Sequence, residues 1–364
     1  MASSLYVHLP FCSSICSYCD FTKLIYKESW AFSYIEEIKK DLKKLGGKKF
    51  KTIYLGGGTP TCLPYQMLED LLKALSPLLE KGGEFSVEST PSSLDEKKLK
   101  ILINNEVNRL SIGGESSIER IIKEMGRSDS FLTLRDAVGL SKKLGLNNIN
   151  VDMIYAWPKE TIDELRQDIM AFLSLDVPHI SAYSLILENS TILSARGAKE
   201  EDEDKQGEEY ELILKSFREA GYDRYEVSNF AKKGFECHHN LTYWKDEEYV
   251  GIGLGASGFE NGIHYSNAKS LTAFLKGERI VTKDAPSLND DLETFFLTNL
   301  RLEKGFEKEE FLRRFGFSFD SKFSLEAARL IASGLLIETD KRIFPSDKGL
   351  LLLDKILVSL IINL

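Results

Sequence analysis

Short apolar, β-branched runs recur along the first half of the chain, at residues 5–9, 51–55, 84–88, 107–112, 148–155 and 179–187. Apolar runs of this length read as buried strands. Between them lie amphipathic stretches at 30–45, 67–80, 95–104 and 161–175, where apolar residues return at helical spacing. Strand followed by helix, six times over with short loops, predicts parallel βαβ units in an α/β fold. Right-handed crossovers would wind them into a barrel or an open sheet. Parallel barrels bind ligands at the carboxyl ends of their strands. Every motif considered below follows a strand, so that end is where the sequence points for a site.

The pattern then changes. Residues 199–205 form a charge run that reads as a solvated loop before a helix at 208–220. Beyond residue 266 the segments 291–302, 308–315 and 324–333 look helical, and a strand-like hairpin at 336–344 follows. Helices with a small hairpin suggest a winged-helix-like appendage. The apolar run 349–364 is broken by Asp354 and Lys355 and is too short to span a bilayer. It reads as a terminal helix buried on its own domain, with a peripheral membrane contact as the alternative. No repeat of fixed period occurs. The expected organisation is a barrel over 1–230, a connecting segment over 231–266 and a C-terminal domain over 267–364.

Composition narrows the class. The 364 residues are 43% hydrophobic and 28% charged, as in a globular protein, and the net charge of −9 argues against a general nucleic-acid binder. No basic segment followed by an apolar core opens the chain, so no secretory signal is read and a cytoplasmic location is expected. Five cysteines, three of them within eight residues, do not make a disulfide framework. In a reducing compartment, clustered thiols point to a metal or to redox chemistry.

Those three are Cys12, Cys16 and Cys19, spaced CxxxCxxC directly after the first strand. A short loop of this kind wraps three thiolates around one face of an iron–sulfur cubane, for which thiolate is the preferred soft ligand. Four-iron clusters usually carry four thiolates, so three leave one iron open. Zinc held by the three cysteines and His8 is the rival reading. Cys62 reads as a packing residue. After the second strand come Gly56, Gly57, Gly58, Thr59 and Pro60, a turn whose missing side chains let a ligand approach the backbone. Later strand ends carry Glu88, Glu115 and Asp152, with Arg127 in a loop. A carboxylate can accept two ribose hydroxyls, and an arginine can pair with a carboxylate through two hydrogen bonds.

Taken together, the cysteine spacing and the GGGTP turn resemble the radical S-adenosylmethionine superfamily over residues 4–230. The resemblance implies a partial (β/α)6 barrel, a 4Fe-4S cluster on Cys12, Cys16 and Cys19, and S-adenosylmethionine bound at the open iron. The polar set looks like the cofactor contacts of the coproporphyrinogen-oxidase-like branch. Stretches at 6–12, 18–21, 180–185 and 225–230 are similar to the HemW-type haem chaperones of that branch. Carried over, the S-adenosylmethionine contacts are Tyr6, Tyr18, Gly57, Gly58, Thr59, Glu88, Glu115, Arg127, Asp152 and Ser184.

A second constellation lies at 237–244, where Cys237 and His238 precede an HNxxYW pattern. Imidazole is a good haem ligand, and Tyr243 and Trp244 offer flat apolar area to a macrocycle. A packed aromatic loop would look the same. The pattern is a hallmark of HemW-type proteins and is tied there to haem. The resemblance therefore implies haem at His239, Tyr243 and Trp244, with His239 favoured as iron ligand over His238 and Cys237. The glycines at 251, 253 and 255 lack the strand–turn–helix unit of a dinucleotide site and are similar to the family's own glycine-rich segment.

The chain departs from those relatives. Glu115 stands where Gln is usual, Asp129 replaces a His, residues 156–160 read AWPKE in place of a Gly-Leu-Pro-Gly-Gln run, and Ser257 replaces a His. Weaker cofactor binding is the expected effect at Glu115, which keeps an acceptor but lacks amide donors. The function implied is a haem chaperone that hands haem to client proteins, with a homodimer as a further expectation. An oxygen-independent coproporphyrinogen III oxidase is the alternative, and a radical enzyme with another substrate a third. The oxidase has a further cysteine where this chain has Phe21, and a longer N-terminal arm. Radical chemistry would require an electron donor.

Overall fold

The computed structural model describes residues 2–362. Six parallel strands pair in chain order: β1 (Ser4–Leu9), β2 (Phe50–Gly57), β3 (Leu79–Ser89), β4 (Arg109–Glu115), β5 (Ile149–Tyr155) and β6 (His179–Ser184). Helices α1 (Glu28–Lys44), α2 (Tyr65–Leu75), α3 (Glu96–Asn104), α4 (Phe131–Lys143) and α5 (Ile162–Ser174) make the crossovers. In α1 the buried positions Ala31, Tyr34, Ile35, Ile38 and Leu42 return every three or four residues, so one face packs on the sheet. Thr161 and Glu164 close a capping box that starts α5. Helix α4 carries no expectation from the sequence. It has a low apolar contrast around its circumference, with Leu134, Ala137, Val138 and Ser141 buried.

The strands show why the barrel has two kinds of wall. Leu110 and Ile112, Val151 and Met153, and Ile180 and Ala182 join the main hydrophobic core. The intervening Arg109, Ser111, Asn150, Asp152, His179 and Ser181 line an internal cavity instead. Successive side chains of a strand face opposite ways, so each strand feeds an apolar layer under the helices and a polar lumen.

The sheet continues at both edges. After α6 (Glu203–Glu219), a hairpin of β7 (Asp223–Glu226) and β8 (Asn229–Ala231) adds antiparallel to β6. On the other side β9 (Tyr249–Ile252) runs parallel to β1, and β10 (Ser257–Glu260), β11 (Ile263–Asn267) and β12 (Ile280–Asp284) follow antiparallel. The main sheet thus extends past residue 267, where the C-terminal domain was expected to begin.

A second hydrophobic core runs from Leu292 to Leu360 and is dominated by phenylalanines, Phe295, Phe296, Phe306, Phe311, Phe319 and Phe323 among them. Its helices are α8 (Leu288–Asn299), α9 (Lys308–Phe315), α10 (Phe319–Ala332) and α11 (Leu353–Ile361), beside a three-stranded antiparallel sheet of Phe306–Glu307, Arg342–Pro345 and Leu336–Glu338. Helix α11 buries Leu353, Ile356, Leu357 and Leu360 in that core, and the last two residues of the expected terminal helix lie outside the described ones. Among the described residues no helix is long and apolar enough to cross a membrane.

Candidate cofactor site and the barrel floor

The cysteine loop leaves β1 and is tied down on both sides. Ser17 donates its backbone N–H to Met125 O at 2.8 Å and its hydroxyl to Glu124 O at 2.9 Å, and it accepts from Leu193 N at 2.8 Å. Tyr18 meets the buried Trp157 edge-on at 6.1 Å, over a small apolar cluster of Ile118, Ile121, Met125 and Leu193. The AWPKE departure therefore serves as a prop for the loop, with Trp157 Nε1 donating to Glu124 at 2.8 Å. The glycine turn locks the other flank: Gly58 N donates to Leu9 O at 2.8 Å and Thr59 N to Phe11 O at 2.7 Å.

Cys12, Cys16 and Cys19 then face a cavity of about 430 Å³ at the carboxyl ends of the strands. Gly57, Gly58, Thr59, Glu88, Glu115, Arg127, Asp152, Tyr18 and Ser184 line it too, so nine of the ten expected S-adenosylmethionine contacts converge with the three thiols. Glu88 accepts from Gly57 N at 2.7 Å and from Tyr54 OH at 2.8 Å, and burial lifts its pKa to about 7. Asp152 accepts from Asn150 at 2.8 Å and Ser111 at 3.2 Å, and burial raises it as well. Arg127 donates to Gly113 O at 2.6 Å and to Glu115 at 3.1 Å. Its Nε is buried without a partner, an orphaned donor of the kind a bound carboxylate satisfies. Ser184 donates to Gln206 at 2.8 Å.

Three thiols on one loop, beside an unpaired guanidinium N–H and buried ribose-type acceptors, fit a cluster with S-adenosylmethionine. The zinc alternative does not fit. His8 donates from Nε2 to Thr22 O at 2.8 Å and accepts at Nδ1 from Tyr6 OH at 2.9 Å, so neither ring nitrogen is free.

Tyr6 is the tenth expected contact, and it does not line the cavity. Its hydroxyl is committed to His8 and its ring lies against Tyr54 and His239, below the cavity. The HNxxYW segment is also displaced from where the sequence pointed. It forms α7 (His238–Trp244), which closes the amino ends of the strands, opposite the cysteine loop. Thr52 of β2 bonds His239 Nδ1 at 2.8 Å, Ser4 of β1 bonds Thr242 at 2.8 Å, and Glu84 of β3 accepts the backbone N–H of His238 and His239 at 3.2 and 3.0 Å. His239 is fully buried, and its Nε2 meets Tyr243 OH at 2.8 Å. Burial drives its pKa down to about 3, so the ring is neutral. Neither His239, Tyr243 nor Trp244 lines the cavity; from this helix Asn240 does, together with Cys237 just before it.

Between the two ends the lumen is polar, and the sequence reading missed it. Asn150 Oδ1 accepts from His179 Nδ1 at 2.6 Å, His179 Nε2 accepts from Tyr225 OH at 2.9 Å, and Tyr225 OH accepts from Cys237 N at 3.3 Å. With the Asn150–Asp152 bond, one hydrogen-bonded chain runs from the cofactor pocket to the floor helix. The signal was present as period-two polar residues within otherwise apolar strands. The glycines after α7 serve packing: a Cβ at Gly253 would stand 2.5 Å from His8 O, and one at Gly255 2.6 Å from Thr22.

Comparison with known proteins agrees with this geometry. Residues 6–172 match the radical SAM superfamily and residues 287–352 the HemN C-terminal domain. The chain is 38% identical to the heme chaperone HemW of Lactococcus lactis, across 95% of this chain and 94% of that one. It is 32% identical to the heme chaperone HemW of Bacillus subtilis, across 96% of each. The solved structure of coproporphyrinogen III oxidase (HemN) from Escherichia coli, a radical SAM enzyme, superposes with a TM-score of 0.86 at 20% identity, covering 99% of this chain and 90% of that one, which shows a shared fold. With similarity at this level along nearly its whole length, and with cysteine loop, glycine turn and C-terminal domain all in place, the chain belongs to the HemW family of radical SAM proteins.

Proposed function

We propose that this protein is a haem chaperone of the cytoplasm, binding haem through the His239 segment and passing it to a client protein. The observation that carries the reading is the whole-length similarity to heme chaperones named HemW, with the HNxxYW pattern kept at 239–244. Phe21, 66% exposed at the cavity mouth, occupies the position of the oxidase's further cysteine and offers no thiol there.

In this reading Cys12, Cys16 and Cys19 hold a 4Fe-4S cluster, which supplies an open iron for the methionyl group of S-adenosylmethionine. Arg127 takes the methionyl carboxylate, Glu88 and Asp152 accept from hydroxyl and amino donors, and the Gly57–Gly58 backbone leaves room for the ligand. Cluster occupancy controls dimerisation or haem release, and haem retention compared in apo and cluster-loaded protein tests that step.

The test of the function is a haem titration of cluster-loaded protein. A Soret band that weakens in His239→Ala supports the chaperone, and an unchanged spectrum on adding haem removes it. The oxidase reading draws on the HemN-like fold and the cofactor cavity. An anaerobic assay with coproporphyrinogen III and an electron donor that yields protoporphyrinogen would restore it.

A further inference from the structure

His239 is locked in place. Thr52 occupies Nδ1, Tyr243 occupies Nε2, and the Tyr54 ring stacks on the imidazole at 5.1 Å and 27°. Each imidazole nitrogen offers one position in the ring plane, for a proton, a hydrogen-bond donor or a metal. With both positions used and the ring fully buried, iron ligation and the closed floor exclude each other.

A second observation shows what holds the floor shut from outside. Two arginines of the C-terminal domain press on the carboxyl end of α7. Arg314 of α9 pairs with the buried Asp246 at 2.6 Å, and the Arg301 guanidinium lies over the Trp244 ring at 5.4 Å. Inside, the hold is the polar set of Ser4, Thr52 and Glu84.

We propose that α7 is a releasable plug: haem is taken by an open form in which the helix has left the barrel floor, and the C-terminal domain governs that release through Arg314 and Arg301. The inference rests on His239 as the haem ligand. A ligand that binds only the open form binds with its intrinsic affinity reduced by the fraction of molecules that are open. Removing a contact made only in the closed form therefore tightens haem binding. A residue that merely supported the fold would weaken it when removed, so the sign separates the two.

The experiment is haem titration of cluster-loaded protein, read at the Soret band, for wild type, Arg314→Ala, Thr52→Val and His239→Ala. Arg314→Ala should bind haem roughly two- to fivefold more tightly, on the scale of one partly exposed ion pair. Thr52→Val should shift in the same direction and gives the reading if Arg314→Ala does not fold. Hydrogen exchange supplies a second readout: haem should speed exchange at the His238 and His239 amides, which lose Glu84 on release. Unchanged or weaker haem binding in Arg314→Ala and Thr52→Val, with the Soret band still lost in His239→Ala, overturns the plug and leaves the ligand standing. A wild-type Soret band in His239→Ala overturns both.

Discussion

Arg127 holds Glu115 across 3.1 Å while its own Nε stays buried and unpartnered. The guanidinium is thus already paired with carboxylates of the chain, Glu115 and, at 3.9 Å, Asp129. Its Nη1 also reaches Cys16 Sγ at 3.8 Å and its Nη2 is bound to Gly113 O at 2.6 Å, so the side chain is pinned with Nε still unused.

The first prediction follows from that pair. A methionyl carboxylate must share Arg127 with Glu115, and Glu115→Gln keeps an acceptor while removing the competing charge. S-adenosylmethionine should bind cluster-loaded Glu115→Gln roughly three- to tenfold more tightly, on the scale of a charged hydrogen bond. Calorimetric titration measures it, and weaker binding would mean that the Glu115 carboxylate is itself a contact.

The cysteine loop sets the second. Cys12→Ala, Cys16→Ala and Cys19→Ala should each lose bound iron and sulfide after anaerobic reconstitution. Cys62→Ala should keep its full complement, because that thiol faces Phe11 O at 3.5 Å as a packing group. Iron analysis of the four variants side by side decides it, and a Cys62 variant that loses its cluster would show a role the fold does not assign.

Glycine geometry yields the third. A Cβ at Gly58 would stand 2.6 Å from Phe11 O and 2.9 Å from Leu9 O, both backbone atoms of the segment that leads into Cys12. Gly58→Ala must push that segment aside and should lower cluster content. Gly139, inside α4 with nothing within 4 Å of an added Cβ, is the control. Gly139→Ala should stabilise by about 0.5–1 kcal/mol through helix propensity and leave the cluster intact. Equal cluster retention in the two variants would rule out the steric account.

The fourth concerns pH. Glu160 is buried, accepts from Trp157 N at 3.0 Å and leaves Oε1 without a partner. Burial raises its pKa from 4.5 to about 8, with the Trp157 bond opposing. A carboxyl raised on folding adds stability that is complete below the unfolded pKa and is lost as pH climbs through the folded one. Its contribution therefore fades between pH 4.5 and about 8. Glu160→Gln abolishes that titration, so its melting temperature should exceed wild type by roughly 2–4 °C near pH 9 and not near pH 5. Melting curves offset equally at both pH values would show that Glu160 does not titrate in this way.

Much of the site was readable because its signals are local. CxxxCxxC brings three thiols together on one loop whatever surrounds it, and Gly57–Gly58 marks a backbone that must pass close to something. Glu88, Glu115 and Asp152 follow from strand ends in a parallel fold. Harder to read were Asn150, His179 and Ser181. Their alternation with Val151, Ile180 and Ala182 is plain only once it is known that one face of each strand looks into a lumen.

Chain order alone determined the six strands and, α4 apart, the helices between them, the thiol cluster and the end of the barrel where it sits, because spacing and periodicity act within a few residues. Tertiary structure alone decided the place of His239. Its partners Thr52 and Glu84 lie more than 150 residues upstream, and only the pairing of the strands brings their side chains under one helix. A histidine's identity is written in the sequence, but whether its nitrogens are free depends on neighbours that folding supplies.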